Sequence, residues 1–200
     1  MKRAQSGFTL LELMLVVVLA GLLLGIGVPA MGSFIRNARI TGAANDVMAA
    51  LHFARSEAIK RRVPVSVCTS AAPLAANPVC TGSAQLFGWI AFVDNNQSGQ
   101  FDGGEQLLLQ REPLPNTITA RSSANPLSFT YLDNGFALDS NAAQLVLCDD
   151  RGNTPSFGQL SAARGILVSV TGRAGVTRDL NAIQQLVDAV GGTIAGCIAS

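Results

Sequence analysis

The residue best placed to do chemistry is a lone carboxylate at the mouth of an apolar run. Glu12 stands directly before Leu13–Ile35, a stretch with no charged residue. At mid-membrane such an acid costs about 2.5–3.5 kcal/mol on the insertion scale, and less near the interface. An acid in that setting calls for a named partner, and the obvious one is an amine. Cleavage after Gly7 would give Phe8 a terminal ammonium, four residues from Glu12 on one helical face. In an assembly the same ammonium could meet Glu12 of a neighbouring copy, neutralising both charges in lipid.

The other reactive side chains are four cysteines, which permit three pairings. Cys68 and Cys80 bracket an Ala/Pro-rich loop, Ala71–Pro78, and Cys148 and Cys197 would then pair and pin the tail to a strand. Each bridge contributes about 2–4 kcal/mol. Zinc is the rival reading, but the spacings contain no CxxC and His52 is the sole histidine.

Asp94–Glu105 fits the pattern of a calcium loop: Asp94, Asn96, Ser98, Asp102 and Glu105 take the ligand positions and Gly99 the turn position. Its flanks read as strands, not helices, and only three carboxylates are present, so the expectation is a polar hairpin loop and no metal. No nucleophile–base pair can be built, because His52 falls on a helix that should pack and the cysteines are committed. No glycine-rich loop ends in Lys-Ser/Thr. The expectation is a protein without catalysis or cofactor.

These residues need elements to hold them. Leu13–Ile35 as a helix is roughly 34 Å long, against about 30 Å of bilayer hydrocarbon. Lys2 and Arg3 favour a cytoplasmic N-terminus, and Arg36 and Arg39 on the far flank soften that assignment. An ordinary signal peptide ending at Val28-Pro29-Ala30 is an alternative, but the apolar run exceeds its usual length and begins with an acid. A plain single-pass anchor explains neither Glu12 nor the Gly7–Phe8 junction. Gly21 and Gly25 have the small-xxx-small spacing, and Gly25–Pro29 should weaken or kink the helix.

Beyond the run, Ile40, Ala44, Val47, Leu51, Ala54 and Ala58 line one face of a continuing helix. Lys60-Arg61-Arg62 suits its C-terminus and Pro64 bars continuation. Strands are expected at 65–68, 88–93, 106–110, 127–132, 144–148, 165–170 and 176–178, and a short helix at Leu180, Ile183 and Val187. A long helix on a small antiparallel sheet, α+β, is the economical layout. Lys2 and Arg3 are two of the 14 Lys+Arg and Glu12 is one of the 13 Asp+Glu, so the part beyond Gly32 is neutral. Nucleic-acid binding would need a local patch. An oxidising periplasm would let the cysteines pair.

Gly7-Phe8-Thr9-Leu10-Leu11-Glu12 resembles the class III signal of type IV pilins and type II secretion pseudopilins. That resemblance implies cleavage between Gly7 and Phe8 by a prepilin peptidase, methylation of Phe8, and a role for Glu12 in filament assembly. Pro29 is the other position the family usually marks, and the resemblance implies that the surrounding stretch can loosen on filament assembly. Phe53-Ala54-Arg55-Ser56-Glu57-Ala58, Gly88-Trp89-Ile90-Ala91-Phe92-Val93-Asp94 and Thr171-Gly172-Arg173 resemble the FimT/GspH branch of minor pilins and pseudopilins. The implied layout is a cleaved leader (1–7), a membrane half-helix (8–32), a periplasmic half-helix (33–62) and a β-rich periplasmic domain (63–200). The local-plus-distal cysteine pairing also matches FimT-like proteins.

The implied partners are major and other minor pilins or pseudopilins, the peptidase and the inner membrane. The function implied is a type IV pilus minor pilin, with an H-type secretion pseudopilin as alternative. Duplex DNA is a further implied partner, because transformation-linked FimT proteins carry Gly-Arg-x-Arg. Here Gly172-Arg173-Ala174-Gly175 lacks the second Arg, leaving Arg173 and Arg178, with Arg164 ahead of the strand.

Overall fold

The computed structural model describes residues 9–81, 88–122, 127–138, 144–152, 155–156, 160–179 and 181. The chain forms two compact units, Met1–Ala38 and Arg39–Ser200. One helix, α1 (Leu10–Arg61), belongs to both.

In the first unit α1 is apolar all round. Its large apolar side chains from Leu10 to Ile35 are 41–77% exposed, so this unit supplies them with no core. The helix runs without a break through Gly25–Pro29, where the sequence suggested weakening or a kink. Pro29 withholds one backbone donor, but a single missing bond does not end a helix whose neighbours on both sides still pair.

In the second unit α1 becomes amphipathic. Ile40, Ala43, Ala44, Val47, Ala50, Leu51, Ala54 and Ala58 are buried, which includes every position the periodicity selected. His52 is exposed. Lys60 and Arg61 fill the last turn, Arg62 turns left-handed (φ 57°), and Pro64 follows. A cation there suits the negative end of the helix dipole.

Among the described residues nine strands follow: β1 (Val65–Ser70), β2 (Gly88–Val93), β3 (Leu107–Arg111), β4 (Thr119–Ser122), β5 (Ser128–Tyr131), β6 (Gln144–Cys148), β7 (Pro155–Ser156), β8 (Leu160–Val168) and β9 (Ala174–Asp179). They form two antiparallel sheets where the sequence suggested one. The first runs β3-β2-β1-β5, with Val65 opposite Val93 and Tyr131. The second runs β4-β6-β8-β7, with β9 also on β8. The helix expected around Leu180, Ile183 and Val187 lies outside the described residues apart from Asn181.

Both sheets share one core with α1. Val65, Val67, Trp89, Ala91, Phe129 and Tyr131 come from the first sheet, and Ala120, Leu145, Leu147, Ile166 and Val168 from the second. β1 and β2 are buried at every position, so each is covered on both faces. Helix and second sheet cover one face; on the other, Ile90 and Phe92 pack with Cys68, Cys80, Phe101 and Leu107.

A side chain on α1 ties the two sheets' turns together. Arg55 donates from Nε to the Gly135 carbonyl (3.0 Å) and from Nη2 to the Thr171 carbonyl (2.9 Å). Gly135 lies in the turn after β5, Thr171 in the turn between β8 and β9. The two turns approach so closely at Gly172 (φ 75°) that a Cβ there would lie 2.0 Å from the Gly135 oxygen. That contact is with backbone, and an L side chain is also strained at this φ. Gly172→Ala is expected to destabilise the protein by about 2–4 kcal/mol, combining overpacking with left-handed strain. Thermal unfolding of the detergent-solubilised chain, read through buried Trp89, checks this; an unchanged midpoint contradicts it.

Candidate functional site

Gly7 and Phe8, the expected processing pair, lie outside the described residues. The structure picks up at Thr9, which caps α1. The Thr9 hydroxyl oxygen accepts the Glu12 N–H at 3.2 Å, and its carbonyl accepts the Leu13 N–H at 3.1 Å. Glu12 is therefore in the first helical turn, and it is exposed. The partial positive charge of a helix N-terminus favours a carboxylate there. Pro29 stands within the same helix.

Cys68 and Cys80 are joined, with Cα atoms 5.6 Å apart. The bridge is doubled by hydrogen bonds: Thr81 N–H to the Thr69 carbonyl (2.8 Å), Thr69 hydroxyl to the Thr81 carbonyl (2.9 Å), and Ala71 N–H to the Thr81 hydroxyl (2.7 Å). Gln110 of β3 holds the loop between them through the Pro73 and Ala75 carbonyls. Cys148 is buried at the end of β6, and no described cysteine is free. Its expected partner, Cys197, lies outside the described residues.

The Asp94–Glu105 loop joins β2 to β3, so its flanks are strands. Asp94 is fully buried and works as a hub. Its carboxylate accepts the Ser66 hydroxyl (2.5 Å), the Ser98 N–H (3.0 Å) and the Gly99 N–H (2.9 Å). Asn96 and Ser98 both donate to the Asp102 carboxylate, and Glu105 accepts the Asp102 N–H. Each carboxylate thus has a donor within the protein. Among the described residues, no three His, Cys, Asp or Glu side chains are grouped to hold a metal. The loop folds Phe101 back edge-on to Phe92 (5.2 Å between centroids), which is how β2 gains its second cover.

Of the three arginines of the expected DNA cluster, Arg164 and Arg178 meet at the Ser161 carbonyl, and Arg173 stands apart at the other end of β9. Arg173 is exposed in the turn, where Ser169 N–H donates to its carbonyl (2.9 Å). Gly175 belongs to β9, opposite Leu167, rather than to the turn. Arg178 sits farther along β9, half-buried, directed at the Ser161 carbonyl. Arg164 does not precede its strand but lies inside β8, buried. There the register slips between Leu160 and Gly165, and Arg164 folds back over the bulge. It donates to the Ala162 (2.8 Å) and Ala163 (3.1 Å) carbonyls and reaches the Thr41 hydroxyl on α1 (3.2 Å). Burial, with Arg178 and Arg151 nearby, pushes its pKa down to about 10.

Two side chains in this domain escaped the sequence reading. Arg55 lies beside the buried Ala54–Ala58 stripe, and only that adjacency hinted at an inward reach. Glu57 is buried on the same helix, where it accepts from Arg61 and Lys60 while Arg61 holds Gln106 at the start of β3 (2.9 Å).

The two carboxylates on either side of this link respond oppositely to acid. The Arg61 hydrogen bond lowers the Glu57 pKa below its ordinary 4.5, with burial opposing and Lys60 assisting. Its stabilisation is present above 4.5 and lost as pH falls through the lowered value. Burial raises Glu105 above 4.5, against the Asp102 N–H that favours its charge. Its ionised form carries a cost that is relieved as pH falls through the raised value. Unfolding temperature should therefore rise slightly toward pH 4.5 and then fall below it. Glu105→Gln should flatten the upper limb and Glu57→Gln the lower, and identical profiles for both variants would remove these groups from the acid response.

Comparison with known proteins agrees with this architecture. Residues 43–172 match the family described as type II transport protein GspH, and residues 2–28 match the prokaryotic N-terminal methylation motif. No curated protein matches the chain. Among solved structures, the Pseudomonas aeruginosa type IV minor pilin FimU is similar at 20% identity, covering 72% of this chain and 91% of that one, with a TM-score of 0.50. A second crystal form of FimU aligns with a TM-score of 0.45 over 68% of this chain and 90% of that one. The FimU likeness is one of fold. With a capped, acid-bearing apolar helix leading into a helix-on-two-sheets domain, and with its length matched from residue 43 to 172, the chain belongs to the GspH family within the minor pilins and pseudopilins of the type IV pilin superfamily.

Proposed function

We propose that this chain is a minor pilin, a structural subunit of a type IV pilus, held in the inner membrane before assembly with its N-terminus cytoplasmic and its domain periplasmic. The observation that carries the reading is the division of α1. Its side chains from Ile40 onward find a complete core in their own domain, while those from Leu10 to Ile35 find none. Apolar surface of that extent requires lipid, or the same helix of other subunits, to cover it. Cleavage between Gly7 and Phe8 would create the ammonium that pairs with Glu12 of a neighbour and sets axial register. Glu12→Val is expected to insert and to be cut as wild type is, but to be several-fold depleted from sheared pili; equal recovery would take Glu12 out of the mechanism.

A second reading, an H-type pseudopilin of type II secretion, is favoured by the description of the matching family. Disrupting the gene separates the two: loss of surface pili supports the first, and loss of protein secretion with pili intact supports the second.

Duplex-DNA contact is a finer part of the first reading. It centres on Arg173, the exposed cation at the β8–β9 turn, with Gly172 shaping the turn and Arg178 directed at Ser161. Contact through so few cations is weak, independent of sequence and steeply lost with salt. At low salt, Arg173→Gln should abolish most binding. Indistinguishable titrations of wild type and variant would remove DNA from the reading.

A further inference from the structure

The two turns clasped by Arg55 carry an inference that rests on the DNA reading above. Ala137 donates its N–H to the Val170 carbonyl at 3.0 Å, and the Gly135 oxygen packs against Gly172. The turn after β5 and the turn between β8 and β9 therefore run side by side. Next to these two glycines stand two exposed side chains, Phe136 and Arg173. Phe136 is 48% exposed, and among the described residues of the second unit it is the only exposed aromatic. Trp89, Phe92, Phe129 and Tyr131 are all buried. The ring is also held in place. Gly135 donates to the Leu132 carbonyl (2.8 Å), Leu132 to the Phe136 carbonyl (2.8 Å), and the Phe136 N–H to the Asn134 side-chain oxygen (3.0 Å). Arg55 fixes the same turn through Gly135 and its neighbour through Thr171. A surface ordered in advance loses little freedom when it binds.

We propose that Phe136 and Arg173 together form a stacking site for unpaired bases, so that this surface takes single-stranded DNA in preference to duplex. A fixed aromatic beside a cation suits a single strand, because a base stacks on the ring while the phosphate meets the charge. In a duplex the base faces are already covered by their neighbours, and exposing one costs unstacking. The local charges point the same way. Asp133 is exposed in the same turn as Phe136 and offsets the attraction of Arg173 for phosphate. Charge alone gives this surface little hold on a backbone, so the base face has to supply the rest.

The test titrates the detergent-solubilised full chain against a fluorescent oligothymidine and a duplex of the same length, over a series of salt concentrations. Wild type should bind oligothymidine more tightly than duplex. Phe136→Leu keeps an apolar side chain, which a protein partner would still accept, but removes the aromatic face. It should bind oligothymidine about tenfold more weakly, with an unchanged salt slope, while Phe136→Trp binds at least as well as wild type. Arg173→Gln should lower the salt slope by about 0.7, the share of one phosphate contact on a single strand. Wild-type affinity for oligothymidine in Phe136→Leu would overturn the inference, and so would equal weakening by Leu and Trp. If duplex binding responds to Arg173→Gln while Phe136→Leu changes nothing, the DNA reading stands and only the stacking site falls. Wild type that binds neither probe sinks both.

Discussion

Everything in the folded domain depends on how closely two sheets can approach one helix. The face that α1 turns to them carries five alanines among its eight buried apolar positions, Ala43, Ala44, Ala50, Ala54 and Ala58. Small side chains let larger ones from the strands, such as Trp89, Phe129 and Tyr131, reach the helix and fill the space between the layers. Interiors are close-packed, so this division of volume is fixed from both sides. The same helix carries Leu, Val and Ile all round before Ile40, where the domain no longer covers it. The change in side-chain type along one continuous helix thus marks where the first unit gives way to the domain.

Polar groups in the domain act as ties between elements. Asp94 closes the β2–β3 loop onto Ser66 of β1, Arg55 joins two turns to α1, Arg164 joins the β8 bulge to Thr41, and Glu57 with Arg61 joins α1 to Gln106. Charged hydrogen bonds of this kind contribute more than neutral ones, and removing the partners of buried Asp94 or Arg164 leaves that charge unmet. The GspH family is structural, and these are the uses such a protein has for its charges.

Where periodicity or punctuation was strong, the sequence was readable. Pro64 and the preceding cations marked the end of α1 correctly, and β2 and β6 were found residue for residue because Gly, Asn and Cys bound their apolar runs. The Cys68–Cys80 pairing followed from the loop it brackets. β4 was missed because Thr119–Ser122 has no alternation of its own; its pairing with β6 supplies the order. β8 was begun five residues late, since Ser161-Ala162-Ala163-Arg164 reads as small and charged rather than as strand. A buried arginine satisfied by its own strand's carbonyls has no signature in a single sequence. That Arg164 meets Arg178 at Ser161 while Arg173 stands apart was illegible for the same reason, because a bulge decides it. At the start of α1 the reverse held: Glu12 and the apolar run were legible because they are local, while the Thr9 cap was not read.

The span of these ties along the chain bears on the order in which the domain is completed. The Cys68–Cys80 bridge closes a segment of 12 residues, whereas the Arg55 bond to Thr171 spans 116. Short closures cost little chain entropy and form early, while distant ones wait for everything between. Sheet one and the helix can therefore come together while β8 and β9 are still being made. The core that α1 shares with the second sheet then stays incomplete until β8 arrives. Arg55 works as a latch in time as well as in space, since its second acceptor exists only once the β8–β9 hairpin has turned. A chain stalled before that point would show its neighbours a sticky, half-dressed helix, and the membrane anchor would keep it beside the other subunits it could foul.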